Sequence, residues 1–383
     1  MKEESPEKPA PLRSGYTTGA CATATAVAAA HLLVTGDSLQ CCTITLPKGQ
    51  HVEFAFEQCT LTGDGDKAIA STIKDAGDDP DVTHGALVFS EVELCNSPGV
   101  TFKAADGVGT VTKSGLPIPV GQPAINPVPR KMIDEHLRNF ASTHRYTGGF
   151  VVSVGVENGE HLATKTMNPR LGIVNGLSIL GTTGIVRPFS CSAYIASIQQ
   201  GIDVALSNQE SHLFACTGNR SEEAAIQLFS TDEKPMNDGR LIEMGDFVGA
   251  VLKHVRKLGD RRLKRLTIIG GFGKLSKFAQ QNLDLHSKSS SIDFGFLSEL
   301  AAKQGANADT QERILQANTS IEALQLFDNQ DANTHQATLA NAICALGVEF
   351  TRKYCPSEMA IDVIAIDKQS QVVGSFSSLG IPR

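Results

Sequence analysis

Residues 266–274, LTIIGGFGK, decide the fold of the C-terminal half of this chain. The run begins with Leu, Thr and two Ile, which is typical of a strand buried within a sheet. Two glycines then end the strand, and a helix is predicted beyond Lys274. A buried strand that turns through glycines into a helix is the repeating unit of an α/β sheet.

The same alternation of strands and helices continues on both sides of this unit. Further strands are predicted at 212–216, 359–366 and 371–374. Helices are predicted at 190–207, from Ser221 onward, and at 247–258, 292–303, 310–327 and 335–354. We therefore predict a doubly wound, mainly parallel α/β domain over residues 190–383.

The N-terminal half is richer in strands and in glycine and proline turns. Its predicted elements are a helix from Thr17 or Thr18 to Val34, ended by Gly36, a hairpin over 41–46 and 52–56, a strand at 86–94, a helix over 126–142, and a hairpin over 150–156 and 161–166. The last hairpin is predicted from Asn158-Gly159, a pair that suits a type I′ turn. We predict a flexible tail over residues 1–12 and an α+β domain over 13–189.

The composition excludes several classes of protein. Hydrophobic residues make up 41% and charged residues 20% of the 383 positions, as in an ordinary globular protein. The net charge of −7 opposes nucleic-acid binding over the whole surface. No apolar run approaches the roughly 18 residues of a transmembrane helix, and the polar N-terminus is unlike a secretory signal. Nine scattered cysteines without metal-binding spacing predict a reducing, cytoplasmic location and no protein metal site.

The segment GYTTGACA, residues 15–22, places two hydroxyls and free backbone N–H groups at a predicted helix start. Such a helix start suits an anionic or polar ligand, which makes Thr17 and Thr18 candidate substrate-binding residues. The alternative is a capped and tightly packed helix, and the local sequence alone favours that alternative.

The segment KDAGDDPDVTHG, residues 74–85, packs four carboxylates and a histidine into one turn-rich stretch. It could bind a cation or supply a general base, and Asp78 and His84 are the candidate catalytic residues. The spacing of a calcium-binding loop is not met. A solvated turn is an equally good interpretation of this segment.

Cations lie beside prolines at several places in the N-terminal half. Residues 113–130 contain five prolines, so this stretch is predicted to be a stiff, ordered loop that could wall a large pocket, with Lys113 and Arg130 at its ends. Arg170 and Arg187 each adjoin a proline in a glycine-rich loop, where a guanidinium could bind a carboxylate through two hydrogen bonds. The alternatives are a rigid connector and ordinary surface arginines.

Two loops of the C-terminal half follow short apolar strands, where ligands of open α/β sheets bind. They predict cofactor-binding residues at Thr217, Gly218, Asn219, Gly270, Gly271 and Gly273. Neither loop has the Walker A or GxGxxG spacing, so their nucleotide-binding pattern is weak by itself.

Several long strings of this chain resemble the cobalt-precorrin-5B C(1)-methyltransferase family of the anaerobic cobalamin pathway. They include LRSGYTTGACA at 12–22, KDAGDDPDVTHG at 74–85, GLPIPVGQPAINPVPRKM at 115–132, and further matches up to about residue 290. The resemblance implies methyl transfer from S-adenosylmethionine to ring carbon 1 of a cobalt-containing tetrapyrrole. It also implies a fold distinct from that of the usual tetrapyrrole methylases, with cobalt arriving in the substrate.

This function is compatible with the residues. A tetrapyrrole edged with carboxylates needs a broad pocket with lysine and arginine at its rim, and transfer from a sulfonium needs no protein nucleophile. Two alternatives remain open: a nucleotide-dependent α/β kinase or ligase, and a non-catalytic tetrapyrrole carrier. A homo-oligomer is an option that the sequence leaves open.

Overall fold

The computed structural model describes residues 12–231, 235–259, 262–329 and 339–380. The chain forms two compact units, with the division in the sequence between Cys191 and Ser192. The predicted flexible tail, residues 1–12, lies outside the described residues except for Leu12.

The N-terminal unit combines mainly antiparallel strands with helices. Its strands are β1 (Gly15–Tyr16), β2 (Cys41–Thr45), β3 (His51–Ala55), β4 (Gln58–Thr62), β5 (Lys67–Ile73), β6 (Leu87–Cys95), β7 (Gly99–Ala104), β8 (Thr110–Val111), β9 (Gly149–Val156), β10 (Ile173–Val174) and β11 (Ile185–Val186). Its helices are α1 (Thr18–Thr35), α2 (Pro127–Thr143) and α3 (Gly159–Ala163). The main sheet has the order β4-β5-β6-β9-β7, in which β7 and β9 form a parallel pair, and β2 and β3 form the hairpin that the sequence predicts.

Helix α1 is the core helix of this unit because its small side chains let the sheet approach closely. All of its alanines are fully buried, and they pack towards β5 and β6. Thr17 caps the first turn by accepting from the Ala20 N–H (3.2 Å), and Gly36 ends the helix at φ 83°, as predicted. The helix is long and apolar enough to span a membrane, but 72% of it is buried inside the protein.

The hairpin predicted around Asn158-Gly159 is wrong. Strand β9 is present, but it pairs with β6 and β7, and the chain after the turn forms helix α3. Asn158 does adopt the left-handed conformation (φ 54°). The left-handed conformation expected of a type I′ turn is thus present at Asn158 but not at Gly159, which begins helix α3, and the strand's partners depend on residues far away in the sequence.

The C-terminal unit is an α/β sheet with helices on both faces. Its strands are β12 (His212–Cys216), β13 (Leu241–Glu243), β14 (Arg265–Gly271), β15 (Ala360–Ile366) and β16 (Val372–Ser377). The helices of this half are α4 (Cys191–Ser207), α5 (Asn219–Phe229), α6 (Val248–Leu258), α7 (Phe272–Ala279), α8 (Phe294–Lys303), α9 (Ala308–Leu315), α10 (Ser320–Asp328) and α11 (Leu339–Arg352). The strand order is β13-β12-β14-β15-β16, and every pair is parallel except β15 with β16.

Alternate side chains of strand β12 enter different cores. Leu213 and Ala215 join the larger cluster, which includes residues of α6 and α11. Phe214 and Cys216 join a smaller cluster with Ala224 of α5. Because both faces of the strand are covered, its sequence is a continuous apolar run, as expected of a parallel sheet.

Two sequence predictions in this unit need correction. The helix predicted over 310–327 is two helices, α9 and α10, because Thr319 caps a new helix by accepting from the Glu322 N–H (3.1 Å). Strand β13 was not predicted, since three residues are too short to show a pattern. The first residues of the helix predicted over 335–354 lie outside the described residues.

A hydrogen-bonded network occupies the amino-terminal end of the sheet. His212 of β12 lies 2.8 Å from the Thr267 hydroxyl, which donates to Asp362 (2.7 Å). Arg265 donates two hydrogen bonds to the same carboxylate, at 2.6 and 3.1 Å. Burial opposes ionisation of Asp362, but Arg265 and the hydroxyls hold its pKa below the ordinary range. Every polar group of this network therefore has a partner.

Candidate functional site

Three of the quoted segments meet around strand β1 of the N-terminal unit. β1 pairs with β11, and Ser14 bridges to Gly77. A Cβ on Gly15 would lie 2.1 Å from the backbone of Ala76, so only glycine allows this approach. The segments near residues 15, 77 and 185 thus form one connected group of loops.

The hydroxyls of Thr17 and Thr18 hold these loops together. Both residues are buried. Besides the helix cap made by Thr17, the Thr18 hydroxyl accepts from the Leu180 N–H at 3.0 Å. In this geometry the two threonines cap and pack the helix, which is the interpretation that the local sequence favoured over ligand binding.

Arg13 organises the acidic segment 74–85. Its guanidinium forms a bidentate pair with Asp75, and its backbone N–H donates to Asp78 (2.6 Å). The Arg13 hydrogen bonds and the Gly77 N–H lower the pKa of Asp75 to about 2. Asp78 is thereby held beside a guanidinium at the surface.

The hydrogen bonding of His84 fixes which of its ring nitrogens carries the proton. Its Nδ1 accepts from the Ala76 N–H at 3.1 Å. In the neutral ring the proton then lies on Nε2, which becomes a donor. About half of the side chain is exposed, at 52%. This arrangement suits donation to a carboxylate better than abstraction of a proton through Nε2.

A buried ion pair closes the same segment. The side chain of Lys74 is 1% exposed and lies 2.7 Å from Asp81. Burial opposes ionisation of Asp81, yet Lys74 and the Thr83 hydroxyl hold its pKa below the ordinary range. Lys74 therefore stabilises the turn and is not available at the surface for a ligand.

The other predicted cations of this unit differ in whether their charged groups already bind atoms of the protein. Arg130 donates to the carbonyls of Ile125 (2.8 Å) and Pro123 (2.9 Å), so its guanidinium braces the proline-rich loop. Lys113 reaches the Arg170 carbonyl at 3.4 Å, which brings two of the predicted cations together. Arg187 is exposed and follows β11.

In the C-terminal unit the two predicted cofactor loops are neighbours. The first follows β12, whereas Gly270 and Gly271 are the last residues of β14 and Gly273 lies in the first turn of α7. Strands β12 and β14 are adjacent although β13 lies between them in sequence. From β12 the chain adds β13 on one side and then crosses to add β14 on the other side, so the order of strands reverses between β12 and β14. Ligands of doubly wound sheets bind at such a point. The Thr217 N–H donates to the Ile269 carbonyl (3.1 Å), and a Cβ on Gly270 would lie 2.7 Å from Thr217.

Gly271 differs from its neighbour because it faces open space. An added Cβ there would meet no heavy atom within 4 Å, and its φ of −61° is open to any residue. The protein itself does not require glycine at this position. Open space at the carboxyl end of a central strand lets a ligand approach the backbone closely. On the other loop, Asn219 is exposed at the start of α5.

Lys274 lies in the first turn of α7, and its ammonium group is engaged by the protein. Its ammonium lies 3.0 Å from Asp246 and donates to the Thr217 carbonyl at 3.2 Å. It therefore ties together the loops that follow β12, β13 and β14. A phosphate-binding lysine would need that charge for its ligand, so this geometry does not support a kinase or ligase loop.

Two acidic residues that the sequence did not point out lie at the end of β13. Glu243 is the last residue of the strand, with the Tyr194 hydroxyl 3.3 Å from its carbonyl oxygen. Asp246 follows in the next turn. In dinucleotide-binding folds, an acidic residue about 20 positions beyond the glycine loop binds a ribose hydroxyl. Glu243 is the residue in that place, and only the structure shows that it ends a strand.

In the described residues, no group of three or more His, Cys, Asp or Glu side chains is arranged to hold a metal ion. All nine cysteines are free thiols.

Comparisons with known proteins agree over nearly the whole chain. Residues 5–188 match the CbiD family and residues 284–376 match the CbiD C-terminal domain. A protein of Burkholderia mallei named cobalt-precorrin-5B C(1)-methyltransferase is 58% identical over 98% of this chain and 99% of its own length. A protein of Paraburkholderia phytofirmans with the same name is 56% identical over 98% of this chain and 100% of its own length.

A solved structure was also found. The crystal structure of the cobalamin biosynthesis protein CbiD from Archaeoglobus fulgidus is 27% identical and covers 67% of this chain and 77% of its own. Its TM-score is 0.37.

Proposed function

The chain belongs to the CbiD family, and from that membership we propose that it methylates carbon 1 of cobalt-precorrin-5B in cobalamin biosynthesis, with S-adenosylmethionine as donor. Relatives that match nearly the full length of this chain and carry this activity in their names support the proposed reaction. The nine free cysteines are consistent with work in a reducing cytoplasm. Cobalt belongs to the substrate and needs no protein ligands.

The donor is proposed to bind at the carboxyl ends of β12 and β14. The single observation that carries this assignment is the open space at Gly271 beside the loop 217–220. Adenosine would lie over the glycines, with Asn219 at the start of α5 and Glu243 near the ribose hydroxyls. When bound, S-adenosylmethionine supplies the electrophilic methyl group, and the protein has to hold it in line with the ring carbon and exclude water.

The substrate is proposed to bind to the loops of the N-terminal unit. Its carboxylates need cations, and Lys113, Arg170 and Arg187 are the candidates of that unit. His84, in the segment 74–85, adds an exposed N–H donor to the same unit. Asp78 remains the candidate proton acceptor. Thr17, Thr18 and Arg130 would contribute by fixing the loops on which these groups stand.

The direct test is incubation of the protein with methyl-labelled S-adenosylmethionine and cobalt-precorrin-5B. Mass spectrometry should find one added methyl group, and fragmentation should place it on ring carbon 1. Retention of the tetrapyrrole without methyl transfer would support the carrier alternative instead. Label that depends on ATP would support the kinase or ligase alternative.

A further inference from the structure

An open cleft lies on the main sheet of the N-terminal unit, away from the loops described above. Its volume is about 740 Å³, within the range of small-molecule sites. Its floor includes Ile69 of β5 and Leu87 and Phe89 of β6. These side chains alternate with the residues that pack on α1, so the cleft occupies the opposite face of the sheet.

One polar group in the floor is not accounted for by the protein. Ser71 of β5 lines the cleft and is 1% exposed, yet its hydroxyl has no hydrogen-bond partner among the described residues. A buried polar atom without a partner costs free energy, so such atoms are rare and call for a partner outside the protein chain or another physical explanation. Ser71 thus offers a hydrogen bond to a molecule in the cleft.

The rim of the cleft is acidic and rigid. Asp106, Glu157 and Glu160 line it, and none of them forms an ion pair with a described residue. The backbone that carries them is locked, because a Cβ on Gly107 would lie 1.9 Å from the Val156 carbonyl oxygen. The Val156 N–H also donates to the Asp106 carbonyl at 3.0 Å. The backbone of the rim is therefore closely packed before any ligand binds, and the exposed carboxylates extend from it.

We propose that this cleft is a binding site for a small organic cation, a compact apolar body that ends in an ammonium or sulfonium group. The apolar floor takes the body, the Ser71 hydroxyl bonds a polar atom on it, and the acidic rim attracts the charge. A tetrapyrrole edged with carboxylates is repelled by the same rim. The cleft is thus separate from the proposed substrate loops.

The test uses the full-length protein with ¹³C-labelled isoleucine methyl groups. Benzyltrimethylammonium is the probe, and benzyl alcohol and phenylacetate are its neutral and anionic counterparts. The cation should shift the Ile69 methyl resonance saturably, the neutral probe should shift it less, and the anion should not shift it. Raising the salt concentration should weaken the cation's effect. A shift of equal size with phenylacetate, or no saturable shift with the cation, would overturn the proposal.

Variants separate the contribution of the acidic rim from that of the Ser71 hydroxyl. Glu157→Gln should weaken the probe about fivefold, whereas Glu53→Gln, an exposed acid on β3, should leave it unchanged. Ser71→Ala should weaken benzyl alcohol, the binding probe that has a hydrogen-bonding group, about threefold to tenfold without lowering the melting temperature, because no protein hydrogen bond is lost. A lower melting temperature of Ser71→Ala with unchanged binding would make Ser71 structural and contradict the assignment.

Titrations with S-adenosylmethionine and S-adenosylhomocysteine show whether the cationic ligand is the methyl donor, because only S-adenosylmethionine carries a positive charge at sulfur. If the methyl donor shifts Ile69 and its product does not, and Gly271→Val leaves this difference intact, the donor is the ligand of this cleft. That result would move the donor away from the C-terminal unit without affecting the methyltransferase assignment. If only benzyltrimethylammonium acts, the ligand is an ammonium compound other than the donor.

Discussion

The two ends of the C-terminal sheet differ in how far their groups are engaged by other parts of the protein. At the amino end, Arg265, Thr267 and Asp362 satisfy one another across neighbouring strands. At the carboxyl end, Gly271 faces open space and Glu243 has no ion pair with a described residue. Polar groups that satisfy each other stabilise a fold, whereas groups left with binding capacity can serve a ligand. The comparison predicts that substitutions at one end change stability and substitutions at the other change binding.

The largest effect is expected at the amino end. Asp362→Ala removes a fully buried carboxylate and leaves Arg265 without its partner. We expect the free energy of unfolding to fall by about 3 kcal/mol, measured by urea denaturation. Donor affinity of the folded fraction should remain unchanged. A loss of donor affinity at constant stability would reverse the comparison.

Gly271→Val tests the carboxyl end. The added Cβ meets no heavy atom within 4 Å, so the melting temperature should hold, but the new side chain occupies the space proposed for the donor. Overpacking there should weaken S-adenosylmethionine binding about tenfold to a hundredfold by calorimetry. Gly295→Ala, in helix α8, is the control. Unchanged affinity in a folded Gly271→Val protein would remove this loop from the site.

Arg187→Met tests the proposed substrate binding by the N-terminal unit. The side chain is exposed, and losing one charged contact should raise the apparent constant for cobalt-precorrin-5B about tenfold. Donor affinity and melting temperature should be nearly unchanged. A clear fall in melting temperature with normal substrate affinity would instead assign Arg187 a structural role like that of Arg130.

Glu243→Gln sharpens the assignment at the carboxyl end. If the carboxylate accepts from a ribose hydroxyl, the amide should weaken donor binding about threefold to tenfold. Glu299→Gln, an exposed acid on α8, should bind the donor as the wild type does. Equal affinities of the two variants would exclude Glu243 from the ribose site.

The smallest effect is a pH dependence at the amino end. Burial, with Arg265 and Arg240 nearby, lowers the pKa of His212 to about 3. The unfolded chain takes up this proton near pH 6.5, so the folded state loses stability as the pH falls from there towards 3. We expect a loss of about 1 kcal/mol between pH 6 and pH 5 in urea denaturation. His212→Gln should flatten the curve, and an unchanged slope would contradict this role.

Periodicity and capping residues were enough to predict most elements. Helix α1 begins after its threonine cap and ends at Gly36, and β14 turns through two glycines into α7. These features are local, because a cap or a glycine turn acts within a few residues. One error, the pairing of β9, arises because distant residues decide it, and another, the missed strand β13, arises because three residues are too short to show a pattern. Strands β4, β5 and β7 of the main sheet were not predicted either.

The features of the candidate site also divide into those that local sequence predicts and those that depend on distant residues. The order of residues along the chain was enough to predict the family, the alternation of strands and helices, and the glycines that follow β12 and end β14. The folded structure was needed to show that those glycines are neighbours, that Glu243 ends the strand beside β12, and that Arg130 and Lys74 bind internal partners. The reason is physical: whether a charged side chain is available to a ligand depends on its distance from partners that lie far away in sequence.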